Sequence, residues 1–210
     1  MNVYIHELEV LGPLSLELFK KWSPSQFSKT TRCVHDFIDE HARNTPNKEA
    51  VAATEGPNLT YAQLSDISTK LAYHLVQIGV KRGDIVPILF DKSSYIVMSV
   101  IAIMKAGAAW VGFSVDTPIN FLIECATIME APLVLTSEHR QELVEKIGRK
   151  PLVVDDNFVA SLRQAPQAFY SPAAPTDVAY LVFTSGSTGT PKVRIGRYFN
   201  LHVRDINTYY

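Results

Sequence analysis

The stretch Asp84-Ile-Val-Pro-Ile-Leu-Phe-Asp-Lys-Ser-Ser-Tyr-Ile-Val-Met-Ser-Val-Ile-Ala-Ile-Met-Lys-Ala-Gly-Ala-Ala-Trp-Val-Gly-Phe113 decides the fold. Within the strand expected over Asp84 to Phe90, Ile85 to Phe90 is a continuous apolar run, the pattern of a strand buried on both faces. Ser93 to Lys105 has the length of a helix, and Ala106-Gly-Ala108 turns the chain into a second apolar run, Ala109 to Phe113. A strand, a helix and a strand in that order form a crossover unit, and crossovers join parallel strands. Lys105 and the Ala106-Gly-Ala108 interruption exclude a membrane span over Tyr95 to Phe113.

The same alternation extends outward in both directions. Upstream, Val34, Phe37, Ile38 and His41 share a helical face that ends near Thr45-Pro46, and Glu49 to Ala53 reads as a short strand. Thr60 with Gln63 three residues later makes a capping box for a helix with the stripe Leu64, Ile67, Leu71, Leu75 and Ile78, closed by Gly79. Downstream come a helix from Pro118 to Met129, a strand from Pro132 to Thr136, a helix from Ser137 to Ile147 and a strand from Pro151 to Val154. Ser161 to Thr176, with three prolines, reads as an exposed connection into the strand Val178 to Phe183. The fold expected is α/β, a partial doubly wound and mostly parallel sheet with helices on both faces. Ligands of such sheets bind beyond the carboxyl ends of the strands.

One such end carries candidate chemistry. Thr184-Ser-Gly-Ser-Thr-Gly-Thr-Pro-Lys192 follows the last predicted strand directly. Thr184, Ser185, Ser187 and Thr188 offer hydroxyls, Gly186 and Gly189 allow close backbone approach, and Lys192 adds a point charge, which is a phosphate cradle in outline. It is neither a Walker loop nor a nucleophile elbow, because the required Gly-Lys-Ser/Thr and Gly-x-Ser-x-Gly spacings are absent. By composition alone a surface linker is the commoner reading, and the apolar strand before the loop and Pro-Lys after it bring the two level.

Length and composition bound the remaining possibilities. The 210 residues are 47% hydrophobic and 20% charged, with Lys+Arg 20 against Asp+Glu 21, so no electrostatic footprint for nucleic acid or an anionic membrane appears. Cys33 and Cys125 have no metal-ligand or disulfide-framework spacing and read as buried structural thiols of a reducing, cytoplasmic setting. The N-terminus lacks a secretory signal pattern. His35, His41 and His74 fall on predicted helices without metal-like spacing.

Leu181 to Lys192 resembles the phosphate-binding signature of the adenylate-forming (AMP-binding) ligases. Leu59-Thr-Tyr-Ala-Gln-Leu64, Phe90-Asp-Lys-Ser93 and Met104-Lys-Ala-Gly-Ala-Ala-Trp-Val111 are similar to segments of non-ribosomal peptide synthetase adenylation domains, and Cys33-Val-His-Asp-Phe37 is similar to the opening helix of fungal-type members. The resemblance runs in family order from residue 32 to 192. It implies the first part of the large N-terminal subdomain of these enzymes, with ATP and magnesium as cofactors. It also implies Thr184, Ser185, Gly186, Ser187, Thr188, Gly189 and Lys192 as the β,γ-phosphate loop. Outside that loop the matching motifs read as structural, with Gly107 sterically required in a close turn.

Departures from the family are local until Lys192. Gly112 and Ser114 stand where the family has Pro and Asp, and after Lys192 the family glycine is absent and residues 193–210 diverge. The adenine, ribose and acid-pocket motifs, the catalytic lysine and a phosphopantetheine site are not found. The organisation expected is therefore a lead-in over 1–31, a truncated adenylation domain over 32–192 and a divergent tail over 193–210. Its ancestral activity is ATP-dependent activation of an amino or other carboxylic acid as the acyl-adenylate in secondary-metabolite biosynthesis. The chain alone is expected to bind ATP weakly, without catalysis. The alternatives are a non-catalytic module that docks a protein partner through an uncovered sheet, or a gene relic; no nucleic-acid or membrane partner is expected.

Overall fold

A computed structural model describes residues 12–15, 17, 32–131, 133–167, 169–184, 192–197 and 200–205. The chain divides into Met1–Thr30 and Thr31–Tyr210. In the first unit, residues 13–15 and 17 are helical.

The second unit begins with α1 (Val34–Asn44), then β1 (Glu49–Val51), β2 (Leu59–Thr60) and α2 (Tyr61–Gln77). The strands β1 and β2 pair antiparallel as a small ribbon. The capping box at α2 is formed as the sequence predicts: Thr60 N–H donates to Gln63 Oε1 at 2.9 Å and Gln63 N–H to Thr60 Oγ1 at 3.3 Å. Leu64, Leu71 and Leu75 of the stripe are buried, whereas Ile78, one residue past the helix, is 46% exposed.

There follow β3 (Ile85–Leu89), α3 (Ser94–Lys105), β4 (Ala109–Gly112), α4 (Ile119–Ile128) and β5 (Leu133–Thr136). A 3-10 turn (Glu138–Arg140) leads into α5 (Gln141–Lys146), β6 (Lys150–Val153) and α6 (Asp156–Ser161). The chain then reaches β7 (Val178–Thr184), β8 (Lys192–Arg197) and β9 (Asn200–Asp205). Each predicted strand and helix through Val154 is present within a few residues, with the Ser137 to Ile147 helix starting as the 3-10 turn and Pro118 standing as the N-cap of α4. The sequence reading assigned no element to β2, α6, β8 or β9.

The described strands form a seven-stranded sheet in the order β6-β5-β3-β4-β7-β8-β9, parallel from β6 to β7 and antiparallel from β7 to β9. One face packs Val86, Ile88 and Leu135 against Leu71 and Leu75 of α2, Ile103 of α3 and Phe158 of α6. The other packs Leu89 and Val134 against Leu122 of α4 and Val144 of α5. This is the doubly wound arrangement expected from the apolar runs. Each of these fully buried aliphatic side chains contributes about 2–5 kcal/mol against truncation to alanine.

The helical layer of the first face is knit by a buried cation. Lys105 is 3% exposed, and its Nζ donates to Asp39 Oδ1 of α1 at 2.6 Å, to Thr69 Oγ1 of α2 at 2.9 Å and to Ser65 O of α2 at 3.2 Å. Ser65 Oγ also donates to Asp39 Oδ1 at 2.6 Å, and Thr69 Oγ1 to Ser65 O at 2.7 Å. Every proton of the ammonium thus has an acceptor. Burial pushes the Lys105 pKa down, against the opposing pull of Asp39.

Beyond α3 the chain turns at Gly107, whose φ is +80°. A Cβ there would lie 2.9 Å from Pro172 Cγ and 3.3 Å from Arg82 Cβ, so glycine is required both by conformation and by space. In β8, Gly196 stands opposite Tyr180, and a Cβ on it would overlap the Tyr180 ring.

Asp39→Asn is expected to destabilise the protein by about 3 kcal/mol, because it leaves a buried ammonium without its counter-charge. Lys105→Met is expected to do less harm, since the Asp39 side chain keeps 32% exposure to water. Urea denaturation of both variants checks the order, and a greater loss for Lys105→Met contradicts it.

Candidate functional site

The parallel strands β6 to β7 all end on the same edge of the sheet, and their carboxyl-terminal loops converge there. The connection after β3 runs through α3 to β4 on one side, while that after β5 runs through α5 to β6 on the other. A crevice therefore opens at the carboxyl ends of the adjacent strands β3 and β5.

An ion pair spans this crevice. Arg140, beyond β5, donates from Nη2 to Asp91 Oδ1 at 2.6 Å and from Nε to Asp91 Oδ2 at 2.9 Å, with Asp91 two residues past the end of β3. The planar guanidinium matches both carboxylate oxygens, so the contact fixes orientation as well as distance. The hydrogen bonds from Arg140 hold the Asp91 carboxyl below its ordinary value of 3.8. Close along the chain to Asp91 and Arg140 respectively, Ser93 Oγ and Ser137 Oγ are buried without a hydrogen-bond partner among the described residues. Sequence reasoning missed the pair because its members are 49 residues apart; the Phe90-Asp-Lys-Ser93 motif held one half of the signal.

The strand that carries the predicted phosphate segment is tied at both ends. At its start, Arg82 donates from Nε and Nη2 to the two carboxylate oxygens of Asp177 at 2.7 and 2.8 Å, holding the residue before β7 against the approach to β3. Along its length β7 lies parallel to β4, with Trp110 opposite Tyr180 and Val111 opposite Leu181. At its end Thr184 stands opposite Lys192 in the antiparallel pairing with β8. The segment between them therefore leaves and returns at one point of the sheet edge. Ser185, Gly186, Ser187, Thr188 and Gly189 lie outside the described residues; of the predicted set, Thr184 and Lys192 are placed by their backbones, at the two strand ends.

Next to that point is a pocket of about 250 Å³, walled by Trp110, Phe113, Phe121 and Phe183 with Ser114 and Thr117 at its polar side. Gly112 lines it as well, so two family departures, Gly112 and Ser114, border the same space. The aromatic walls are mutually packed: Phe121 and Phe183 meet edge to face with centroids 6.2 Å apart.

The remaining candidates of the sequence are structural. Cys33 and Cys125 are buried, and burial pushes both thiols up to about 11, so neither is a thiolate at neutral pH. His41 stacks on Tyr61 at 4.8 Å, and His74 meets the edge of Phe158 at 5.3 Å. Among the described residues, no group of three or more His, Cys, Asp or Glu gathers at metal-binding distance, and no helix is long and apolar enough to cross a membrane.

Comparison with known proteins gives a consistent set of similarities. A family model described as AMP-binding enzyme matches residues 38–202, continuing past Lys192. The chain is 35% identical over 192 residues to the nonribosomal peptide synthase roqA of Penicillium rubens, covering 91% of this chain and 8% of that protein. It is 37% identical over 188 residues to the nonribosomal peptide synthetase otaB of Aspergillus carbonarius, covering 90% and 10%. The chain thus spans about a tenth or less of the length of these curated relatives. Its fold is similar to the nonribosomal peptide synthetase FmoA3 solved with α-methyl-L-serine-AMP bound, with a TM-score of 0.73 at 23% identity, over 88% of this chain and 20% of that one.

The depressed Asp91 pKa carries a pH consequence. Its folded value lies below its unfolded value, so its contribution is fully present above the unfolded pKa and is lost as pH falls through the folded one. Asp91→Asn is expected to cost at most about 1 kcal/mol at neutral pH, because the pair is one-third exposed. It is also expected to flatten the fall of stability below about pH 4. Urea denaturation across that range checks this, and an unchanged acid slope contradicts it.

Proposed function

Because the chain belongs to the AMP-binding enzyme family, we propose that its segment 184–192 receives the β- and γ-phosphates of ATP, as part of an adenylation domain of the nonribosomal peptide synthetase type. The observation that carries this reading is the pairing of Thr184 with Lys192 at the carboxyl end of β7. It brings both ends of a segment rich in glycine and hydroxyls to the sheet edge where ligands of doubly wound folds bind. Backbone N–H groups freed by glycines, hydroxyls and an ammonium are the donors that a polyphosphate needs.

In this reading Thr184, Ser185, Ser187 and Thr188 donate hydroxyl hydrogen bonds to phosphate oxygens. Gly186 and Gly189 let the main chain approach, and Lys192 offsets phosphate charge. Magnesium enters with the triphosphate, since the described residues gather no carboxylate cluster for a resident ion; it neutralises phosphate charge when bound. The reaction of the whole domain is attack of a carboxylate oxygen on the α-phosphorus, forming a mixed anhydride with AMP and releasing pyrophosphate. Positioning and charge neutralisation supply nearly all of its rate.

The loop orients the leaving group only. These 210 residues by themselves therefore bind ATP weakly and do not turn over, for of the family's motifs they carry the one for the phosphate end of one substrate and not those for adenine, ribose or the acid. The setting is the cytoplasm, where ATP is supplied.

Two measurements on the purified chain test this. Titration calorimetry with magnesium-ATP is expected to give a dissociation constant in the range of about 0.1–10 mM, weakened about tenfold by Lys192→Ala. ATP–pyrophosphate exchange over a broad set of amino and aryl acids is expected to stay at background. Saturable binding that is indifferent to Lys192→Ala would refute the phosphate assignment, and clear exchange above that variant would refute the inactivity.

A further inference from the structure

A second cavity, of about 330 Å³, opens on the outer helical layer between the carboxyl-terminal end of α2 and the end of α6. It shares no lining residue with the pocket at the ends of β4 and β7. Its size lies at the lower end of the range for small-molecule sites, roughly 300–1,000 Å³.

Its lining is a specific mixture. Phe158 supplies an aromatic wall that is fixed by the edge of His74 at 5.3 Å, and Ile78 and Leu162 complete the apolar surface. Ile78, exposed to 46%, is the residue of the α2 stripe that the sequence assigned to the core; here it faces the cavity instead. Besides His74, the polar side chains of the lining are those of Tyr73, Gln77, Ser161 and Arg163, with the Ser161 hydroxyl donating to Phe158 O at 2.7 Å. Tyr73 is held by its own ring contact with Phe169, centroids 5.6 Å apart. Among the described residues, Arg163 forms no ion pair. Burial lowers the pKa of His74, so its imidazole is neutral at pH 7 and Arg163 is the one cation of the lining.

An unpaired guanidinium beside a fixed aromatic wall, with hydroxyl and amide donors alongside, complements a flat apolar body that bears one negative charge. We propose that this cavity is a binding site for a small aromatic carboxylate, with the ring against Phe158 and the carboxylate on Arg163. The proposal stands independently of the phosphate assignment, since no residue of 184–192 takes part.

The test is a titration of the ¹⁵N-labelled 210-residue chain with sodium benzoate, followed by amide chemical shifts. Saturable shifts confined to residues 73–78 and 158–163 are expected, at benzoate concentrations of about 0.1–10 mM. Arg163→Gln, an exposed position whose change leaves the spectrum otherwise intact, is expected to weaken binding at least tenfold. Benzyl alcohol, of the same shape without the charge, is expected to bind at least tenfold more weakly than benzoate. Shifts that do not saturate, that fall outside these two segments, or that are indifferent to both Arg163→Gln and loss of the ligand charge overturn the site.

Discussion

The ammonium of Lys105 is the constraint on which the arrangement of this molecule depends. It sits at the last residue of α3, almost wholly out of water, and bonds at once to α1 and α2. A charge in such a place is tolerated only when each of its protons meets an acceptor, so α1, α2 and α3 have one mutual position that satisfies it. Two residues later Gly107 turns the chain into β4, with no room for a side chain between Arg82 and Pro172. The position of β4 in the sheet, and through it that of β7, follows from these two requirements.

A second level of order is built from arginine–carboxylate forks. Arg82 with Asp177 fixes the start of β7, and Arg140 with Asp91 bridges the crevice between the loops after β3 and β5. Neither pair is deeply buried, so neither adds much to global stability. Their effect is geometric: the first fixes where β7 begins, at the amino end of the strand, and the second fixes two loops at the carboxyl edge of the sheet.

Much of this was legible in the sequence, and the limits have physical causes. The capping box of Thr60 and Gln63, the tight turn at Gly107 and the alternation of apolar runs are local patterns, and each appears where it was expected. Lys105 was legible as an obstacle to a membrane span, but its partners are 66 and 36 residues away at Asp39 and Thr69, beyond the reach of any local pattern. The Asp91–Arg140 fork was hidden for the same reason. The helix α6 escaped notice because it is six residues long, too short for a periodicity, although Asp155 caps it by accepting from Phe158 N–H. The strands β8 and β9 lie where the sequence reading placed a divergent tail, although the family model continues to residue 202, and their alternating polar and apolar residues pair as an antiparallel extension of the sheet. Of the candidate segment, the sequence shows which residues stand in which order, and the described structure adds the backbone positions of Thr184 and Lys192. The closure of the segment by Thr184 against Lys192 was not legible, since it depends on β8.

The central claim is that this closed segment at the end of β7 is a polyphosphate receptor built on the doubly wound sheet. Addition of magnesium tripolyphosphate, which has the phosphates of the nucleotide without its base or sugar, to the ¹⁵N-labelled chain tests it most directly. Saturable shifts centred on the amides of residues 184–192 are the result this account predicts. Saturable shifts elsewhere, with those amides unmoved, would contradict it.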